Sequence, residues 1–133
     1  MDKVVHFEIP TDNVERAQKF YKDLFKWEIQ QFGEMPYWAV RTVEVDKKMM
    51  PKEKGAINGG MLKWDEKNDP GSKNPVIVIS VSNTKEYCKK VENAGGKVVM
   101  PARNVGDMGI YARVKDTEGN IIGLWQNLKN WVC

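Results

Sequence analysis

Val5-His6-Phe7-Glu8-Ile9-Pro10 runs into Asn13-Val14-Glu15-Arg16-Ala17-Gln18-Lys19-Phe20-Tyr21 near the start of the chain. The same grammar returns in Pro75-Val76-Ile77-Val78-Ile79-Ser80-Val81 followed by Asn83-Thr84-Lys85-Glu86-Tyr87-Cys88-Lys89-Lys90-Val91. Each copy is a short apolar strand, a polar break and an amphipathic helix. A further strand follows each, Lys26-Trp27-Glu28-Ile29 in one case and Lys97-Val98-Val99-Met100 in the other. A half-domain repeated in this way cannot bury its apolar face alone and packs on its twin. Two curved sheets packed together make a shared concavity, and concavities take small molecules.

The first helix has start signals in Asp12 and Glu15, three apart as in a capping box, with Ala17, Phe20, Tyr21 and Leu24 on one face. It is expected to end near Phe25 without a glycine. The second helix repeats the logic with Asn83 and Glu86, carries Tyr87, Val91 and Ala94 inward, and stops at Gly95-Gly96. Strands are predicted over residues 27–32, 37–45 and 56–62 in the first half, and over 97–101, 109–114 and 120–126 in the second. Glu118-Gly119-Asn120 is a hairpin turn between the last two. Asp46 to Lys54 reads as a charged loop containing Met49-Met50. The reading is therefore one α+β domain of two βαβββ modules in tandem, residues 1–64 and 75–128, with a polar linker 65–74 that includes Pro70 and Gly71.

The 133-residue length suits one domain that buries about two-thirds of its unfolded surface. An apolar content of 41% with five Trp is ample for a core. The 21 basic and 18 acidic residues are interleaved, so the net +3 marks a solvated mixed surface, not a nucleic-acid footprint. No run approaches the ~18 apolar residues of a membrane span, and Met1-Asp2-Lys3 does not open a signal peptide. Cys88 and Cys133 form neither a disulfide framework nor a zinc spacing, which makes the cytoplasm the expected compartment.

Three segments resemble the vicinal oxygen chelate superfamily of glyoxalase I, bleomycin-resistance proteins and extradiol dioxygenases. They are Val5-His6, Arg16-Ala17-Gln18-Lys19-Phe20-Tyr21, and Asp116-Thr117-Glu118-Gly119-Asn120-Ile121-Ile122-Gly123-Leu124. The last is similar to the family's Asp-Pro-x-Gly-Asn turn and final strand, with Thr117 in place of Pro. The likeness covers Lys3 to Asn127 and implies curved mixed sheets enclosing a cavity, often in a homodimer. It also implies a divalent metal (Ni, Zn, Fe or Mn) in the catalytic members, with ligands on the first and last strands of each module. Of those four positions His6 matches; Val76, Gly60 and Gly123 offer no donor. A catalytic metal takes about three protein ligands and an open position, so no cofactor is expected here. The expected function is binding of a small organic molecule in the inter-module cavity. Two alternatives stand beside it: a metal-dependent lyase or dioxygenase, akin to lactoylglutathione lyase, and a structural or partner-binding dimer with a filled cavity.

The resemblance puts His6 on the cavity wall, and Glu8, two residues along the strand, shares its face. Glycine in a strand marks a bulge or a close approach, so the space at Gly60 and Gly123 is filled either by a neighbouring Trp or by a ligand held against bare backbone. Trp125 shares the face of Gly123, with Gln126 pointing away, while Trp27, Trp38 and Trp64 read as core. Arg41 and Arg113, on roughly corresponding strands, are candidate clamps for an anion, at least one of them expected to face outward. Tyr111 adds a hydroxyl, and Val76 lines the wall. The Trp131-Val132 tail offers a modest apolar contact for a partner copy.

Overall fold

Asn13 opens the first helix: its side-chain oxygen accepts from the Arg16 N–H at 3.0 Å, and α1 (Val14–Phe25) follows. The cap is thus one residue later than the Asp12–Glu15 spacing suggests. Asp12 is drawn instead into an ion pair with Lys73 at 2.9 Å. Lys26 ends the helix in the left-handed conformation, φ 61°, and its N–H returns to the Lys22 carbonyl. Asn83 caps α2 (Thr84–Asn93) in the same way through Glu86, and Gly95, at φ 97°, turns the chain out.

The computed structural model describes residues 1–67 and 73–129. Pro70, Gly71 and the Trp131-Val132 tail lie outside the described residues. The remaining elements are β1 (Lys3–Thr11), β2 (Glu28–Gln31), β3 (Tyr37–Arg41), β4 (Gly59–Lys63), β5 (Val76–Ser80), β6 (Lys97–Val105), β7 (Gly109–Lys115) and β8 (Ile121–Asn127). The chain forms two compact units, one of His6–Pro75 and the other of residues 1–5 with those from Val76 onward.

In the amino-terminal unit the strand order is β2-β3-β4-β1, with β1 parallel to β4 and the other pairs antiparallel. In the carboxy-terminal unit it is β6-β7-β8-β5, with β5 parallel to β8. The βαβββ order is therefore the same in each unit.

Two sequence boundaries shift for physical reasons. The third strand stops at Arg41 because Asn58, itself buried, accepts the Thr42 and Val43 N–H groups at 2.8 and 3.1 Å and removes them from the ladder. The sixth runs past Pro101 to Val105 through register shifts, which an edge strand tolerates because the proline nitrogen has no neighbour to serve.

Each unit buries one sheet face under its helix. In the amino-terminal unit Ile29, Val40 and Met61 form the buried cluster, covered by Phe7, Val14, Ala17, Tyr21, Trp27 and Trp38. Tyr21 stacks flat on Trp27 at 4.8 Å between centroids. In the other unit Val81, Ala112, Val114 and Leu124 pack with Tyr87, Cys88 and Val91 of α2. Full burial of the Val, Ile, Leu and Met side chains among these is worth about 1.5–3 kcal/mol each. One expectation is corrected here: Phe20 and Leu24 do not cover the sheet but are 53% and 59% exposed. Val14, Ala17 and Tyr21 point straight at the sheet, and the 100° step per residue swings Phe20 and Leu24 to the flank of that stripe.

The last hairpin is built on Asp116. Its carboxylate accepts from the Asn120 side chain, the Asn120 N–H and the Glu118 N–H at 2.8–2.9 Å, which holds its pKa below the ordinary value. Gly119 supplies the positive φ of 88°.

Candidate functional site

The sheet face away from each helix carries the candidate residues. Alternation puts Phe7 on the α1 side and His6 and Glu8 on the other, where both are buried, 6% and 7% exposed. Glu8 is paired with Gly60 across the parallel β1–β4 ladder. Gly60 is also paired with Ala39, and two residues back along β3, on the same face, stands Tyr37. Its hydroxyl and His6 Nε2 are hydrogen-bonded at 2.6 Å, the imidazole tautomer setting which of them donates. The rings lie nearly parallel, 14° apart.

The register fills the glycine. A Cβ built on Gly60 would overlap the Tyr37 hydroxyl outright and lie 2.6 Å from the ring's Cε1. Gly123 shows the same arrangement. It pairs with Arg113, two residues beyond Tyr111, and a Cβ there would lie 2.7 Å from the Tyr111 hydroxyl and 3.0 Å from its Cε1. Each glycine thus has a tyrosine from the neighbouring strand folded diagonally over it. Neither space belongs to a Trp. Trp125 covers Gly109 instead, its indole N–H donating to Asn127, and it is buried.

Arg113 is 5% exposed, and its Nε donates to the Tyr111 hydroxyl at 2.9 Å. Arg41, by contrast, ends β3 exposed and is paired with Glu28 on β2. The registers show that the two arginines do not correspond: Arg113 and Ala39 hold equivalent positions, each opposite the covered glycine. Val76 is buried, 2% exposed, at the start of β5, and Val78 stands opposite Gly123. Gln126 takes the opposite side from Trp125 and accepts the Thr84 N–H at 3.0 Å, bracing the start of α2.

His6, Glu8, Gly60 and Tyr37 therefore form one group in the amino-terminal unit. Val76, Tyr111, Arg113, Gly123 and Trp125 lie on the corresponding face of the other. Equivalent positions differ in chemistry: the first unit has an imidazole and a carboxylate where the second has two valines, and the second has a guanidinium where the first has Ala39. Sequence reasoning passed over Tyr37. Its place over a glycine depends on the β3–β4 register, which is set across the long loop of residues 42–58.

The donor set does not fit a family-type metal centre. Among the described residues no group of three or more His, Cys, Asp or Glu side chains could hold a metal ion. Gly60 and Gly123 contribute no side chain, and the space a ligand would need there is taken by tyrosine rings. The one histidine has its Nε2 engaged by Tyr37.

The comparisons with known proteins agree with this architecture. A glyoxylase-like domain-containing protein of Didymella fabae is 32% identical over 116 residues, covering 85% of this chain and 84% of the relative. CFP32 of Mycobacterium bovis, a candidate glyoxylase by name, is 28% identical over 124 residues. That match covers 90% of this chain, which spans only 43% of the relative's length. Among solved structures, a methylmalonyl-CoA epimerase in complex with methylmalonyl-CoA and NH4+ superposes with a TM-score of 0.64 at 12% identity, over 100% of this chain and 99% of the other. A superfamily member from Vibrio splendidus 12B01 gives 0.60 at 14% identity, over 96% of this chain and 100% of the other. These two likenesses carry the fold. The sequence model of the family matches residues 3–124, nearly the full span of the two βαβββ units, and the chain belongs to the Glyoxalase/Bleomycin resistance protein/Dioxygenase superfamily.

Proposed function

We propose that this chain binds a small organic molecule through the polar sheet faces that carry His6, Glu8, Tyr37, Tyr111 and Arg113, without a resident divalent metal. The observation that carries this reading is the burial of His6, Glu8 and Arg113 on the faces away from the helices. Imidazole, carboxylate and guanidinium groups are costly to take out of water, and a sheet that needed only packing would carry apolar side chains there, as Val76 and Val78 do. The imidazole and guanidinium are suited to donate to a polar ligand's oxygens, and the carboxylate to accept from its hydroxyl or amino groups. With no disulfide framework in the sequence, the setting we propose is the cytoplasm.

Native mass spectrometry of the purified protein, followed by a screen of co-purifying metabolites, tests the reading. A bound small molecule is expected; stoichiometric Ni, Zn, Fe or Mn in protein prepared without chelator would overturn it. His6→Ala is expected to weaken binding of that molecule by about 1–3 kcal/mol, roughly 5- to 150-fold, the scale of a hydrogen bond lost at a desolvated site. It also removes one hydrogen bond of the Tyr37 hydroxyl, so a moderate fall in melting temperature accompanies the loss. Unchanged affinity would take His6 out of the site.

A second reading, a structural or partner-binding domain whose site is filled, is favoured by the aromatic rings over Gly60, Gly109 and Gly123. It predicts that no ligand is captured at all.

We also propose a homodimer. Phe20, Leu24 and Phe25 are each more than half exposed on one helix, an unusual cost in water for three large apolar side chains. A second copy of the chain is the proposed cover. Light scattering at micromolar concentration is expected to give about twice the 15.3 kDa of one chain, and the monomer mass would refute it.

A further inference from the structure

The two tyrosines over glycines stand at the positions where the family resemblance seats metal ligands, and this coincidence goes beyond loss of a site. A glycine alone would leave a gap that water or an ion could fill. Here the gap is closed by a ring placed through the same cross-strand diagonal in both units: Tyr37 lies two residues before the partner of Gly60, and Tyr111 two before the partner of Gly123. In the amino-terminal unit the closure has a second part. The Tyr37 hydroxyl holds Nε2 of His6, the one side chain that matches a family ligand position.

We propose that Tyr37 is a positioning residue that keeps divalent metal out of this fold's ligand position. Its ring occupies the volume of a side chain at position 60, and its hydroxyl engages the imidazole nitrogen that would otherwise coordinate. The Tyr111 ring closes position 123 by volume alone, its hydroxyl accepting from Arg113. The inference rests on the metal-free reading above and names the residues responsible for it.

The geometry indicates how the effect is reversed. Glu8 and Gly60 are direct partners across β1 and β4, and His6 lies two residues from Glu8 on the same face. In the Tyr37→Ala, Gly60→Glu double variant an imidazole and two carboxylates converge on one face. That is a mixed nitrogen and oxygen set of the kind that takes Ni, Zn or Mn, with the three protein ligands that an open site needs.

Nickel and zinc uptake is measured on the wild type, each single variant and the double variant, by elemental analysis after desalting and by titration calorimetry. The wild type and Gly60→Glu alone are expected to retain no stoichiometric metal. The double variant is expected to take up about one equivalent per chain, and adding His6→Ala is expected to weaken that binding by about 100-fold. A folded double variant that gains no metal, or a wild type that already holds one equivalent, overturns the proposal.

If the double variant does not fold, a thermal cycle decides. Gly60→Ala is expected to lower the melting temperature sharply in the native background and by less than half as much in a Tyr37→Ala background. Equal losses in the two backgrounds overturn the proposal. Metal gain in the double variant with no small molecule captured by the wild type would refute the functional reading and leave Tyr37's role standing. Small-molecule capture without metal gain would do the reverse.

Discussion

Gly109→Ala is expected to lower the melting temperature by about 10 °C, the equivalent of roughly 3 kcal/mol for a chain of this length. Gly109 begins β7, paired with Asn127 of β8 on one side and Val105 of β6 on the other. A Cβ there would overlap the Trp125 indole, lie 2.6 Å from its far carbon, and approach the Gln126 carbonyl oxygen to 2.5 Å. The ring cannot swing aside freely because its N–H is held by Asn127 and the side chain is buried. The carbonyl cannot move without breaking the β7–β8 ladder, and β7 is pinned from both edges. Overpacking against two fixed walls is among the few single changes that cost several kcal/mol. Thermal denaturation of the variant checks this, and a shift under about 2 °C would show that the indole yields more easily than its contacts imply.

Met61→Ala is expected to cost about 2–5 kcal/mol, the range for deleting a fully buried long side chain and leaving a cavity. Met61 is 0% exposed and lies with Ile29 and Val40 beneath Phe7, Ala17, Tyr21, Trp27 and Trp38. It occupies β4, the strand held between β1 and β3, and its neighbour Gly60 faces the opposite side against Tyr37. The same substitution should therefore loosen the His6–Tyr37 pair through the backbone and, if the proposed small-molecule binding holds, weaken it as a secondary effect. Met61→Leu, close in volume, is expected to stay within about 1.5 kcal/mol of the native chain. Denaturant melts with an unchanged slope would attribute the difference to native-state stability. A Met61→Ala cost below about 1 kcal/mol would mean that the aromatic cover collapses into the gap.

Local sequence patterns carry much of this architecture. Asn83 and the Gly95 stop define α2 by local capping chemistry alone, and Asp116 through Asn120 close their turn on themselves. Repetition of strand, helix and three strands led to the fold, because polar breaks and alternating apolar residues act over a few positions and need no distant partner. His6 and Glu8 share a face for the same reason. The cap of α1 lies one residue beyond the Asp12–Glu15 spacing because Asp12 has a partner that local pattern does not reveal, Lys73, far along the chain.

What a strand glycine faces is a different kind of question. The two-residue alternation along one chain tells which side Gly60 or Gly123 is on, and it stops there. The neighbour that covers each is chosen by the register of an adjacent strand. For Gly60 that register is set across residues 42–58, where Asn58 ends β3 early. Only the folded sheet could show Tyr37 over Gly60, Tyr111 over Gly123 and Trp125 over Gly109, or separate buried Arg113 from exposed Arg41. Local periodicity thus gave the order of the elements and the alternation along each strand, while Phe20 and Leu24 fell outside the face it assigned them. The contacts that cover Gly60 and Gly123 came from cross-strand register, because it depends on loop lengths and on side chains far apart in the chain.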